Sequence, residues 1–144
     1  MDKTEFSRIR HHLGKTQRQL AQLLGTSTKA IQSFEQGWRD IPVSTERQIL
    51  LLMALKSFRS KKTRPCWAIR RCSEEARQRC PAWEFQAGHP CWFINGTFCE
   101  GEVRESWDEK MYICRRCTVF ERLLSSTEAG NSAAASKGTS RAAI

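Results

Sequence analysis

The chain lacks any long apolar stretch. Its longest, Ile49 to Leu55, falls far short of the ~20 residues a helix needs to cross a bilayer. The opening MDKTEFSRIR carries no apolar core of the signal-peptide kind. A cytoplasmic location is expected, with no membrane partner. Catalytic groups are also sparse. There are three histidines and one tyrosine, and no nucleophile, base and acid grouping is recognisable, so neither an enzyme nor a small-molecule substrate is expected. Cysteine is missing from residues 1–65 and again after Cys117. From Ser125 onward Ser, Ala, Gly and Thr leave almost nothing to bury, and a disordered tail is expected over 123–144.

Charge is as uneven as cysteine. Residues 1–64 hold thirteen Lys and Arg against five Asp and Glu, and residues 65–144 hold eleven against ten, so +8 of the formal +9 belongs to the first part. Such a surface attracts phosphate through counterion release, although an acidic partner or an anionic surface would suit it equally. All seven cysteines lie between Cys66 and Cys117. In a reducing compartment a disulfide framework is disfavoured, which leaves metal ligation or redox chemistry. The expected organisation is a basic head over 1–60, a linker at 61–65 and a cysteine-rich module over 66–122. Each unit is near the lower size limit for a stable core, so the second should draw its stability from cross-links or metal.

Local signals predict four helices in the head. Asp2 with Glu5 forms a capping-box pattern for a first helix that Gly14 can end, and Thr16 with Gln19 repeats it for a second. Leu20, Ala21 and Leu24 share one face of that second helix, and Gly25 suits a tight turn. Ser27 can cap a third helix to about Gln36, with Ala30, Ile31 and Phe34 facing inward, and Ser44 can cap a fourth whose Ile49, Leu50, Leu52 and Met53 close the core. If the third helix buries Ala30, Ile31 and Phe34, then Thr28, Lys29, Gln32, Ser33 and Gln36 face out. Those side chains can read base edges: glutamine pairs with adenine, lysine donates to guanine, and a threonine methyl meets a thymine methyl.

Residues 15–42, with Thr16-Gln17, Leu20-Ala21, Gly25-Thr26-Ser27, Ile31, Glu35, Gly37 and Pro42, resemble the helix-turn-helix of Cro/C1-type phage repressors. The likeness covers roughly residues 3–57. It implies an all-α domain of four to five helices whose third helix enters the major groove of double-stranded DNA, commonly as a homodimer on paired half-sites. It also implies base contacts from Thr28, Lys29, Gln32 and Ser33, a phosphate contact from Gln17, and an ion pair between Arg10 and Glu35 that orients the recognition helix. Arg39, in the loop after that helix, is a further phosphate candidate.

The cysteine spacing is C-x5-C-x7-C-x10-C-x7-C-x14-C-x2-C, and only Cys114 with Cys117 has the close spacing of a two-thiolate chelate. Cys66-Trp67-Ala68-Ile69 is echoed by Cys91-Trp92-Phe93-Ile94, which suggests a duplicated knuckle. The pattern resembles bacterial cysteine-rich modules with paired Cys-Trp motifs, called two-CW domains, and the resemblance leaves the ligand open. Cys80-Pro81 is similar to the Cys-Pro of ferredoxin-type cluster motifs. Cys66, Cys72, Cys80, Cys91, Cys99, Cys114 and Cys117 are the candidate ligands for an iron–sulfur cluster, such as [4Fe–4S], or for zinc. His89 is a candidate eighth ligand. Arg70, Arg71, Arg77, Arg79, Arg115 and Arg116 are candidates to offset an anionic site. Trp67, Trp83, Trp92 and Trp107 supply the bulk that aliphatic residues do not.

The reading that joins these features is a DNA-binding transcriptional regulator whose small, irregular, metal-stabilised second module senses a signal or tunes dimerisation. The competing reading is an adaptor with a structural zinc site. A thiol redox protein using Cys114 and Cys117 ranks third, because no thioredoxin-like context surrounds that pair.

Overall fold

The computed structural model describes residues 1–58 and 64–125. The chain is mostly helical. Four helices come first: α1 (Lys3–Leu13), α2 (Gln17–Leu23), α3 (Thr28–Gln36) and α4 (Val43–Ser57). Five shorter ones follow: α5 (Cys66–Ile69), α6 (Glu74–Gln78), α7 (Pro81–Glu84), α8 (Cys91–Ile94) and α9 (Trp107–Arg115). Between α8 and α9 a small antiparallel hairpin, β1 (Phe98–Cys99) and β2 (Glu102–Val103), pairs Phe98 with Val103 and Cys99 with Glu102. A last helix, α10, occupies 118–125.

The local signals in the first three helices act as expected. Asp2 accepts from the Glu5 amide, Thr16 and Gln19 close a reciprocal capping box, and Ser27 accepts from the Ala30 amide. Each satisfies amide donors that a helix start leaves without partners. Gly14 and Gly37 stand at the C-caps of α1 and α3. Gly25 turns the chain between α2 and α3 at φ 63°, a left-handed conformation that costs a residue with a Cβ appreciably more. The start of α4 differs from expectation. Its N-cap is Pro42, with no side-chain capping bond, and Ser44 lies inside the helix. Proline has its φ already fixed near the value needed there, so the chain enters the helix earlier.

α1 packs on α4 and α3, and α2 packs on α3. Their core is Phe6, Ile9, Leu20, Ile31, Ile49, Leu50 and Met53, all fully buried. The same core continues into the cysteine-rich part, where Trp92, Trp107, Met111, Cys114, Phe120 and Leu123 join it. One apolar cluster therefore includes residues of both the head and the cysteine-rich part. Polar contacts reinforce the junction. Arg115 on α9 grips Glu5 of α1 through two hydrogen bonds of 2.8 Å and lies 3.7 Å from Glu46 of α4. Arg47 of α4 donates to the Phe93 carbonyl at 2.8 Å while its guanidinium covers the Phe93 and Trp107 rings.

The expected linker and tail fall partly outside the described residues, which leave out 59–63 and 126–144. Pro65 serves as the N-cap of α5. Residues 123–125, assigned to the tail from composition, are helical, and Leu123 is buried. The reason is spacing: Val119, Phe120 and Leu123 fall on one face of α10, an apolar stripe too short to stand out from the sequence beyond it.

Candidate functional site

The outward side of α3 is polar throughout. Ile31 and Phe34 are buried beneath it, Lys29, Gln32 and Gln36 are exposed, and Thr28 and Ser33 are half-buried. Ala30, expected to face inward, is partly buried and packs against the core. The Ser33 hydroxyl donates back to the Lys29 carbonyl at 2.9 Å, which leaves its oxygen free as an acceptor. In the loop beyond, Trp38 is 77% exposed, and the Arg39 guanidinium sits 6.0 Å over the Phe34 ring.

Behind this face α3 is fixed by an ion pair. Arg10 on α1 donates to Glu35 through Nε at 2.6 Å and Nη2 at 3.2 Å, and its Nη1 reaches the Lys15 carbonyl at 2.9 Å. Gln17, the expected phosphate contact, donates to Glu35 at 2.6 Å, so one of its two amide hydrogens is committed inside the protein. Burial works against ionisation of Glu35, but the hydrogen bonds from Arg10 and Gln17, with the Arg10 charge, outweigh it and hold the carboxyl below its ordinary range. α1, α2 and α3 are thereby locked to one another at the end where α2 begins.

The cysteines converge from six separate segments. Cys66, Cys72, Cys80, Cys91, Cys99 and Cys117 all line one cavity of about 280 Å³, together with Trp67, Trp83 and Asn95. Cys114 is buried within electrostatic reach of Cys91, Cys99 and Cys117. The echoed motifs become matching structures: α5 and α8 are single turns that begin at Cys66 and Cys91, each preceded by a proline N-cap. Gly88 holds the first against the rest. Its carbonyl accepts from the Cys66 amide at 2.9 Å, and a Cβ there would lie 2.5 Å from Pro65 and 2.8 Å from Trp67.

The thiols are all free, and among the described residues no three His, Cys, Asp or Glu side chains converge tightly enough to hold a single ion as they stand. The Cys66 and Cys91 thiols interact, which lowers the Cys66 pKa and, with burial, raises that of Cys91. Burial also raises Cys99 and pushes Cys114 up to about 12. Of the six arginines expected near the thiols, Arg70 reaches one, donating from Nη1 to Cys117 Sγ at 3.7 Å while also pairing with Glu100. Arg77 lies over Trp83, Arg115 turns to Glu5, and Arg116 donates to Tyr112. His89 stacks on Phe58 at 5.3 Å and is not part of the cavity lining.

Two further residues belong to this site, and neither stood out from the sequence. Asn95 Nδ2 donates to Cys80 Sγ at 3.5 Å, while its Oδ1 accepts from the Ala82 amide at 2.8 Å. Lys110 is 1% exposed and donates to the Phe98 carbonyl, with Cys91, Cys99 and Cys114 as electrostatic neighbours. A lysine at i−4 from a cysteine on an exposed helix would be unremarked; its meaning comes from burial. The chain matches no protein-family model, no curated protein and no solved structure.

Proposed function

We propose that this protein is a cytoplasmic, sequence-specific transcriptional regulator that reads double-stranded DNA with α3 as the second helix of a helix-turn-helix. On this reading the cysteine-lined cavity holds a metal centre, iron–sulfur or zinc. The observation that carries the DNA-reading part is the solvent side of α3, where Lys29, Gln32 and Gln36 stand exposed above a buried Ile31–Phe34 face. Charge supports it, since most of the net positive charge lies in the same part of the chain. Thr28, Lys29, Gln32 and Ser33 would contact base edges, and Arg39 with the first amides of α2 would contact phosphate. Gln17 then acts mainly by positioning α2 against Glu35. One head offers a small contact, so two chains on paired half-sites are part of the proposal.

Selection from a random duplex pool tests it. The expected result is enrichment of a defined, two-fold related sequence, bound with an affinity that falls steeply as salt rises. Retention of no duplex at low salt would reject DNA reading and favour the adaptor.

A further inference from the structure

We propose that the cysteine-lined cavity takes a polynuclear iron–sulfur cluster rather than a lone metal ion, with Lys110 as the buried cation that balances its charge. This rests on reading the cysteine module as a cofactor holder and is independent of whether α3 reads DNA.

The first ground is size. A tetrahedral zinc ion draws its thiolates to about 2.3 Å, so four sulfurs around it touch one another and enclose no free space. Here six cysteines border a cavity of about 280 Å³. Sulfurs spread around a cavity match a ligand that presents its metal atoms at separate corners.

The second ground is Lys110. Its neighbours on the core side of α9, Trp107, Met111 and Cys114, are all buried, and Lys110 is buried with them. Among the described residues no ion pair with a carboxylate includes it. The Phe98 carbonyl satisfies one ammonium hydrogen but supplies no countercharge. An ammonium removed from water needs a compensating anion close by. Among the described residues, the thiols of Cys91, Cys99 and Cys114 feel its charge. A buried ammonium beside several thiols fits an anionic centre at that place.

The third ground is the set of donors aimed at sulfur. The Ala82 amide fixes the Asn95 side chain by its oxygen, which turns the Asn95 NH2 group toward Cys80 Sγ. Arg70 donates to Cys117 Sγ from the opposite end of the sequence module. Donors to ligating sulfurs stabilise the negative charge that a thiolate cluster carries.

The test uses the full chain, purified without oxygen and then incubated with ferrous iron and sulfide. The expected product is brown and holds several iron atoms with an equal amount of acid-labile sulfide per chain. Lys110→Met should release iron to a chelator several-fold faster than the wild type, and Lys110→Arg should restore retention, with helical circular dichroism as the control for folding. Should Lys110→Met fail to fold, Asn95→Asp gives the second measurement, because it keeps the acceptor for Ala82 and removes the donor to Cys80; faster iron release is again expected. A chain that takes up one zinc ion and no sulfide overturns the cluster. Iron retention unchanged in a folded Lys110→Met variant overturns the role of Lys110. DNA binding is read separately, so either failure leaves the reading of α3 standing.

Discussion

Replacing Arg115 with alanine tests whether the cysteine-rich part braces the first four helices. In the wild type its guanidinium makes two 2.8 Å bonds to Glu5, whose side chain is 10% exposed, and lies 3.7 Å from Glu46, whose side chain is 5% exposed. Glu46 keeps a second cation, the Met1 ammonium at 3.2 Å. Among the described residues Glu5 pairs with no other cation, so the cost falls mainly on it. Breaking a fully buried pair costs about 3–5 kcal/mol. Arg115 is itself 32% exposed, and water admitted at that edge lowers the expected loss to about 2 kcal/mol. Glu5→Ala leaves the more exposed partner, which water can solvate, and should cost about 1 kcal/mol. The double variant should lose little more than Arg115→Ala, because most of that loss is the stranded carboxylate. Urea denaturation of the full chain, followed by circular dichroism and tryptophan fluorescence, measures all three. A change below about 0.5 kcal/mol for Arg115→Ala, the scale of an ordinary surface substitution, would refute the brace. Strict additivity of the two single variants would refute the pairing.

Lys29→Ala and Gln32→Ala should each weaken binding to the selected duplex by about 1–3 kcal/mol without loss of helicity, and relax its sequence preference. Arg39→Ala should weaken all sequences alike, a difference that competition between selected and random duplexes resolves. Trp92→Ala should destabilise the chain by about 3–5 kcal/mol, because its ring is buried against Phe93 and Phe120 in the shared core. Both spectroscopic probes should then report one earlier transition, and an unchanged melting of the helical signal would contradict the shared core. Glu35, with its folded pKa below the ordinary 4.5, contributes stability that is complete above that value and is lost as pH falls through the folded pKa. Melting temperatures of the wild type and of Glu35→Gln should therefore converge on acidification below 4.5, and a constant gap would argue against the Arg10–Glu35–Gln17 network.

The first three helices were legible because their signals are local. Asp2, Thr16 with Gln19, and Ser27 act within three residues of themselves, and Ile31 with Phe34 lie one turn apart. The fourth was legible in its core, Ile49, Leu50 and Met53, but not in its cap, where Ser44 outweighed Pro42 on propensity alone. In the cysteine-rich part the residue type was readable and the arrangement was not. Nothing in the spacing reveals that Cys114 lies buried outside the cavity lining that Cys117 joins, or that Arg115 turns away from the thiols. Lys110 and Asn95 escaped notice because their significance depends on burial and on sulfur contacts set by distant segments. Short helices with few aliphatic residues give almost no periodicity to read.

Glu5 and Arg115 stand 110 residues apart in sequence. During synthesis α1 leaves the ribosome first, and at ~5–20 residues per second its carboxylate waits about 5–20 s for the guanidinium that neutralises it. By then six of the seven cysteines have been made. The Glu5 carboxylate thus meets its partner only when most of the cysteines that line the cavity have been made, and the order of translation delivers the two together.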